Sequence, residues 1–337
     1  MFLFGQVTRL GQAGLIHVAD LAVILAVTFI GLTNAGARDF RATDTQPQNY
    51  PSVQALVYMD QLVQDRTQGR HRINIFPSGS LGEQTKTFEQ TRLGAIDINR
   101  TNMAPLTSFI GAANILGLPF LFRSAEHLHK VLDGPIGEGI LDGLQPHGFV
   151  GLAFYESGSR SVYTSKRPVR TLNDLKGLRI RLQQSDLMIG IFKAFGAEPV
   201  LLPYTQVITG LSTDVIDAAE NNWPSYVMSK DYTVARYYSL TEHSMTPDIL
   251  TMSSTTWNSL SREDQEAFRY AARESSRFMR SQWTVHEERS QKQAQDVGVT
   301  VIEIDKKPFE AAVAGLYEQV LVDSRLKHLL GSIRAAY

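Results

Sequence analysis

Apolar and polar positions alternate along this chain in two recurring rhythms. Residues 38–44 read as a short strand, and from 51 to 68 the residues Val53, Leu56, Val57, Met59, Leu62 and Val63 return at helical spacing behind Pro51. Residues 72–76 (RINIF) alternate as a strand does and stop at Pro77; 81–93 reads as a helix and 96–98 as a strand. Strand–helix–strand–helix–strand predicts a parallel sheet covered by helices. The rhythm restarts with strands at 149–155, 161–164, 178–182, 199–202 and 215–218, and with helices at 186–195 and 204–211. Two α/β units predict two lobes, 38–160 and 161–250, with a ligand cleft beyond the carboxyl ends of the strands. No repeat, low-complexity tract or flexible linker separates them, so the lobes are expected to be joined by crossover strands. Residues 251–337 are expected to add a strand and helices that pack across both lobes. Ser261 is placed to cap a helix, with Asp264 three residues on, and neither Gly nor Pro interrupts the chain from there to Asp296. A helix of about 35 residues follows from that, with Arg269, Arg273, Glu274, Arg277 and Arg280 on its solvated face. A further helix is expected at 308–322.

The segment 21–32 (LAVILAVTFIGL) is apolar and uncharged over 12 residues. As a helix it covers about 18 Å, short of a bilayer core of about 30 Å. It reads as the core of a signal peptide, with Arg9 before it and Ala35-Gly36-Ala37 as a cleavage pattern; cleavage is expected after Ala37 and the protein is expected to reach the periplasm. Asp20 abuts the run, which fits an uncleaved N-terminal anchor as the alternative.

Composition narrows the chemistry. Lys and Arg number 33 against 34 Asp and Glu in 337 residues, a net charge of −1, which gives nucleic acid no basic face to bind. Cysteine is absent, which excludes disulfides, thiolate metal sites and a thiol nucleophile. There is no phosphate-binding loop and no nucleophile elbow; His286-Glu287-Glu288 lacks the second histidine of a helical zinc site, and 134–139 (GPIGEG) has the wrong spacing for a dinucleotide loop. No enzyme activity, cofactor or metal is expected. His243 reads as a structural histidine. The arginines carry more. In 178–182 (LRIRL) the strand period sets Arg179 and Arg181 on one face, beside Ser185 and Asp186 at the next helix start. A guanidinium pair there fits an anion site, since its planar fork matches a carboxylate, and fits equally a solvated face or an ion pair. Arg160 follows a Gly turn after a strand, Arg100 ends the strand at 96–99, and 217–224 (DAAENNWP) passes from a strand into an amide-rich loop.

These segments, in order, resemble the periplasmic solute-binding subunits of TRAP transporters, the tripartite ATP-independent importers of organic acids. The resemblance rests on 76–82 (FPSGSLG), 93–97 (LGAID), 118–122 (LPFLF), 158–160 (GSR), 174–181 (DLKGLRIR) and 215–221 (VIDAAEN), collinear from about residue 40 to 300. It implies a two-lobed, periplasmic-binding-protein-like α/β fold with crossover strands and a long C-terminal helix. It further implies a small organic-acid ligand and TRAP membrane permease subunits as partners. By that resemblance Arg181 pairs with the ligand carboxylate, Arg160 assists it, and Asn221 lines the cleft; Ala218 stands where Gly is usual. Arg100, 183–186 (QQSD) and 220–225 (ENNWPS) resemble the subgroup that binds hexuronates such as glucuronate and galacturonate. Asp44 and Glu89 are then candidates for sugar hydroxyls. A C4-dicarboxylate, with Arg100 clamping its second carboxylate, a small hydroxy or keto acid, and a sensing role for the same pocket are the alternatives.

Overall fold

A computed structural model describes residues 36–336 of the chain. The apolar run at 21–32, with Arg9, Asp20 and Ala35, lies outside the described residues. The strands in chain order are β1 (Arg38–Thr43), β2 (His71–Phe76), β3 (Ile98–Asn102), β4 (Phe149–Tyr155), β5 (Arg160–Thr164), β6 (Arg179–Leu182), β7 (Glu198–Leu201), β8 (Ala218–Asn221), β9 (Tyr237–Ser244), β10 (Asp248–Ser253) and β11 (Thr300–Ile302). They form two sheets, ordered β2-β1-β3-β10-β4 and β11-β9-β5-β8-β6-β7. In the first sheet β1 runs parallel to β2 and β3, while β10 runs antiparallel to β3 and β4. In the second, β6 runs parallel to β7 and β8, and β5 antiparallel to β8 and β9. Each sheet with its helices is one lobe.

Two short connections join the sheets, 156–159 between β4 and β5 and 245–247 between β9 and β10. The long helix Arg262–Asp296 ties them together. Its start is fixed by Ser261, whose hydroxyl accepts the Asp264 N–H at 3.1 Å. Its buried stripe contains Ala267, Ala271, Ala272 and Ser275, and residues that small let the helix Pro51–Arg66 and β4 approach closely. Phe268, Met279 and Trp283 pack with Leu56, Met59 and Val63 in the first lobe, whereas Ala294 packs with Tyr238 and Trp223 in the second. Arg273 and Arg277 are exposed on this helix as expected. Arg280 instead pairs with Asp133, and Arg269 lies over the Trp257 ring at 4.7 Å. After β11, the helix Lys307–Val320 buries Phe309 and Val313 in the second lobe, and the helix Ser324–Ala335 returns Leu330 and Ile333 to the first.

Two strands sit further along the chain than their apolar pattern predicts. The pattern marks 96–98, yet β3 is Ile98–Asn102; it marks 215–218, yet β8 is Ala218–Asn221. In the first case Asp97 is taken by a side-chain role. It accepts the Arg41 backbone N–H at 2.8 Å and the Thr256 hydroxyl at 2.7 Å. In both cases the strand's polar end is buried and bonded across the sheet, so apolar periodicity does not register it.

The β4–β5 connection passes under the long helix at Gly158. Its φ is +57°, and a Cβ there would stand 2.7 Å from Trp283 Cζ2 and 2.9 Å from Glu287 Oε1. Gly158→Ala combines a left-handed backbone with a collision, and we expect a loss of about 2 kcal/mol, read as a lower melting temperature. Glu287 itself is largely buried. Burial first, then the neighbouring Glu156 carboxylate, push its pKa up to about 7 from the ordinary 4.5. The folded protein thus keeps a proton that the unfolded chain releases near pH 4.5, so stability falls as pH rises from there to about 7. Glu287→Gln should stabilise the protein at pH 8 by on the order of 1–3 kcal/mol and leave it unchanged at pH 4, as melting curves at the two pH values would register.

Candidate functional site

The carboxyl ends of β1, β3, β6, β7 and β8 point toward one another across the gap between the sheets. A cavity of about 160 Å³ lies there. On the same measure a water takes roughly 10–15 Å³, so the space suits a ligand on the scale of a monosaccharide. Its lining includes Gln46, Tyr50, Arg100, Asn102, Arg160, Arg181, Gln183, Asn221 and Asp248.

Arg181 enters from β6, buried to 3% exposure. The strand alternation that gives it this face also gives it to Arg179, but the two diverge. Arg179 lies two residues nearer the strand's start, half exposed, and forks onto Asp217 through bonds of 2.9 Å. Arg181 donates only through Nε, to the Leu202 carbonyl at 2.8 Å. Among the described residues no carboxylate forms an ion pair with it. Burial lowers its pKa, only partly countered by the field of Glu220, which is the signature of a cation short of counter-charge.

Arg160, at the head of β5, is differently placed. Its Nε and Nη2 grip the Glu220 carboxylate at 2.6 and 2.8 Å, and Nη1 donates to Asn221 Oδ1 at 2.9 Å. Burial opposes the charge on Glu220, but Arg160 and His243 bring its pKa down to about 2. The pair is neutral as a unit. Of the five guanidinium N–H groups one on Nη1 stays uncommitted, since Nη2 also donates to the Glu220 carbonyl at 3.1 Å. His243 completes this support, with Nε2 3.4 Å from Glu220 and Nδ1 2.9 Å from the Thr241 hydroxyl. Asn221 accepts from Arg160 and from the Asn222 N–H at 3.0 Å; its Nδ2 donates to no described residue.

The opposite wall belongs to Arg100. It lies in the middle of β3, not at a strand end, bonded to Asp44 at 3.0 Å and to the Ser52 hydroxyl at 2.9 Å, with Asp248 3.4 Å away. Asp44 does not reach the cavity lining. One of its oxygens accepts the Gln46 N–H and the other serves Ser52 and Arg100, so it acts by holding Arg100. Glu89 is also absent from the lining, because it faces outward on the helix Gln84–Arg92 and pairs with Arg92 at 2.9 Å. Among the expected site residues the fold therefore gathers Arg181, Arg160, Asn221 and Arg100 at one cavity, with Asp44 behind and Glu89 away.

Sequence reading missed Asp248, Tyr50, Gln46 and Tyr204. Asp248 opens a strand just after Pro247, a weak signal that gains meaning only once β10 lies beside β3. The Tyr50 hydroxyl lies 2.9 Å from the Ser225 hydroxyl and donates to Asn222 Oδ1 at 3.3 Å, which links the lobes. Thr205 donates to Glu83 at 3.1 Å across the mouth. Two buried acceptors of the lining, Gln46 Oε1 and Gln183 Oε1, have no protein donor among the described residues.

Removing the Arg181 charge should separate folding from binding. Arg181→Met keeps the unbranched stem of the side chain and eliminates a desolvated cation. We expect the ligand-free protein to melt no lower than wild type while carboxylate affinity falls by about 2–5 kcal/mol, as paired melting and calorimetric titrations would resolve.

The family described as "Bacterial extracellular solute-binding protein, family 7" matches residues 42–323. A TRAP periplasmic solute binding protein from Xanthobacter autotrophicus Py2, solved with bound β-D-galacturonate, is 44% identical with a TM-score of 0.87, covering 88% of this chain and 100% of that one. One from Chromohalobacter salexigens, with bound D-glucuronate, is 36% identical with a TM-score of 0.86 over 88% and 100% of the two chains. The 2,3-diketo-L-gulonate-binding periplasmic protein YiaO of Escherichia coli is 34% identical over 77% of this chain and 80% of its own. The chain belongs to bacterial extracellular solute-binding protein family 7, the family of the TRAP solute-binding proteins.

Proposed function

We propose that this TRAP solute-binding protein captures a hexuronate in the periplasm and delivers it to membrane permease subunits. Arg181 carries the reading. A buried guanidinium in the lining of an interlobe cavity, with no bond on Nη1 or Nη2 and no carboxylate on it among the described residues, is matched by one ligand carboxylate held bidentately. The remaining lining supports a polyhydroxylated body for that acid. Gln46 Oε1 and Gln183 Oε1 call for hydroxyl donors, and Asn221 Nδ2 and one Arg160 N–H call for acceptors. A hydroxyl group does both. The galacturonate and glucuronate bound by relatives at 44% and 36% identity support the same class.

The protein acts by binding and not by catalysis. Of the two carboxylates in the lining, Asp248 is committed to Arg100 and Glu83 takes the Thr205 hydroxyl at the mouth, while Glu220, behind the lining, is committed to Arg160, so no paired acid and base face the cavity. Export by the N-terminal leader places it where a TRAP permease can receive the closed form. Ligand shifts the lobes toward closure only through contacts that exist in that form, such as those reaching from Arg181 on one sheet to Gln46 on the other side.

A thermal-shift screen tests this. Galacturonate or glucuronate at about 100-fold over its dissociation constant should add about 2.7 kcal/mol of stability, while lactate and pyruvate add none. A response to C4-dicarboxylates alone would replace the hexuronate assignment. Silence toward every acid would refute it.

A further inference from the structure

The two ends of the cavity differ in charge. At one end Arg181 is a cation with no protein counter-ion among the described residues. In the middle Arg160 and Glu220 cancel. At the other end a single guanidinium, Arg100, stands between two buried carboxylates, Asp44 at 3.0 Å and Asp248 at 3.4 Å. Asp44 is behind the wall, but Asp248 is part of the lining, with Oδ1 taking the Asn102 amide at 3.0 Å. Arg100 therefore has no positive charge left to offer. With both acids ionised the cluster is net negative; with a proton on one of them it is neutral. In neither state does it attract an anion, so an arginine that by sequence could clamp a second carboxylate is turned by its neighbours into part of a wall that gives a second carboxylate no partner and repels it when both acids are ionised.

Resting on the hexuronate reading above, we infer that Asp248, backed by Arg100 and Asp44, limits this site to acids with one carboxylate and a hydroxylated far end. Asp248 is the effective member because it alone of the two acids borders the ligand space. Arg100 holds its carboxylate in place, and Asn102 fixes its direction by donating to Oδ1. Oδ2 faces Arg100 at 3.4 Å, and its lone pair turned away from that guanidinium accepts a ligand hydroxyl and opposes a ligand carboxylate. The same arrangement accounts for why so polar a wall does not compete with Arg181 for the ligand's charge. A monocarboxylate has one orientation in which its anion meets the cation and its hydroxyls meet the acid, and the reversed orientation is repelled at one end and unneutralised at the other.

The test is isothermal titration with galacturonate and with galactarate, its counterpart carrying a carboxylate at both ends of the six-carbon chain. Wild type should bind galacturonate and discriminate against galactarate by roughly a hundredfold or more. Asp248→Asn leaves Arg100 paired with Asp44 as a neutral unit, and should narrow that ratio at least about tenfold, chiefly by gaining galactarate. Asp248→Ser provides a second neutral variant, and a melting curve of each establishes that it is folded. Galactarate binding to wild type within tenfold of galacturonate overturns the inference and leaves carboxylate capture by Arg181 intact. An unchanged ratio in a folded neutral variant overturns it too, since shape and not charge would then set the selectivity. If wild type binds neither acid, the pair is replaced by glucuronate and glucarate, and if it binds none of the four the hexuronate reading falls and this inference with it.

Discussion

An uncompensated guanidinium in the middle of a protein is costly, and the arrangement around Arg181 follows from carrying that cost. The side chain is buried on β6, its pKa is depressed by the loss of water, and its only described bond is to a carbonyl. A cation in that state is worth far more to an incoming carboxylate than a solvated arginine would be, because the ligand does not have to strip water from it. The surroundings keep protein carboxylates off this guanidinium. Glu220, the acid whose field reaches Arg181 most strongly, is locked onto Arg160 and steadied by His243. Arg179, one strand period away, has Asp217 as its partner and so leaves the neighbouring position undisturbed.

This logic explains which parts of the site were legible in the chain. Strand alternation alone places Arg179 and Arg181 on one face, but cannot say which is free; the motif resemblance favours Arg181, and the difference between them is an Asp217 side chain presented from outside the strand. Arg160 and Asn221 could be named from their motifs, yet their bond to each other depends on the antiparallel pairing of β5 with β8. Arg100 could be named, but its meaning could not. Whether it clamps an anion or merely completes an ionic cluster is decided by Asp248, which arrives beside it on β10, a strand far along the chain. Asp44 drew attention for a sound reason, as an acid at a strand's end, and its contribution is spent on Arg100. Glu89 lay on the outward face of its helix.

The strands whose limits differ from the apolar pattern teach the same lesson at the level of fold. Hydrophobic periodicity reports what a strand buries against its helices. β3 and β8 end instead in Arg100, Asn102, Glu220 and Asn221, polar residues that are buried because they are bonded sideways beside the cavity. The elements with an ordinary job, such as the helix Pro51–Arg66 and the long helix with its Ser261 cap, fall where the pattern puts them. The departures mark the ends of the sheets that meet at the cavity.

The two connections between the lobes give the cavity a mechanical property. Arg160 is the first residue after one crossing and Asp248 the first after the other, so two of the polar groups in the cavity wall are attached directly to the segments that join the halves. A force on either side chain would act on those segments with almost no intervening lever arm. Any turn of one half against the other about these crossings would move both groups least and the outer surface of the molecule most.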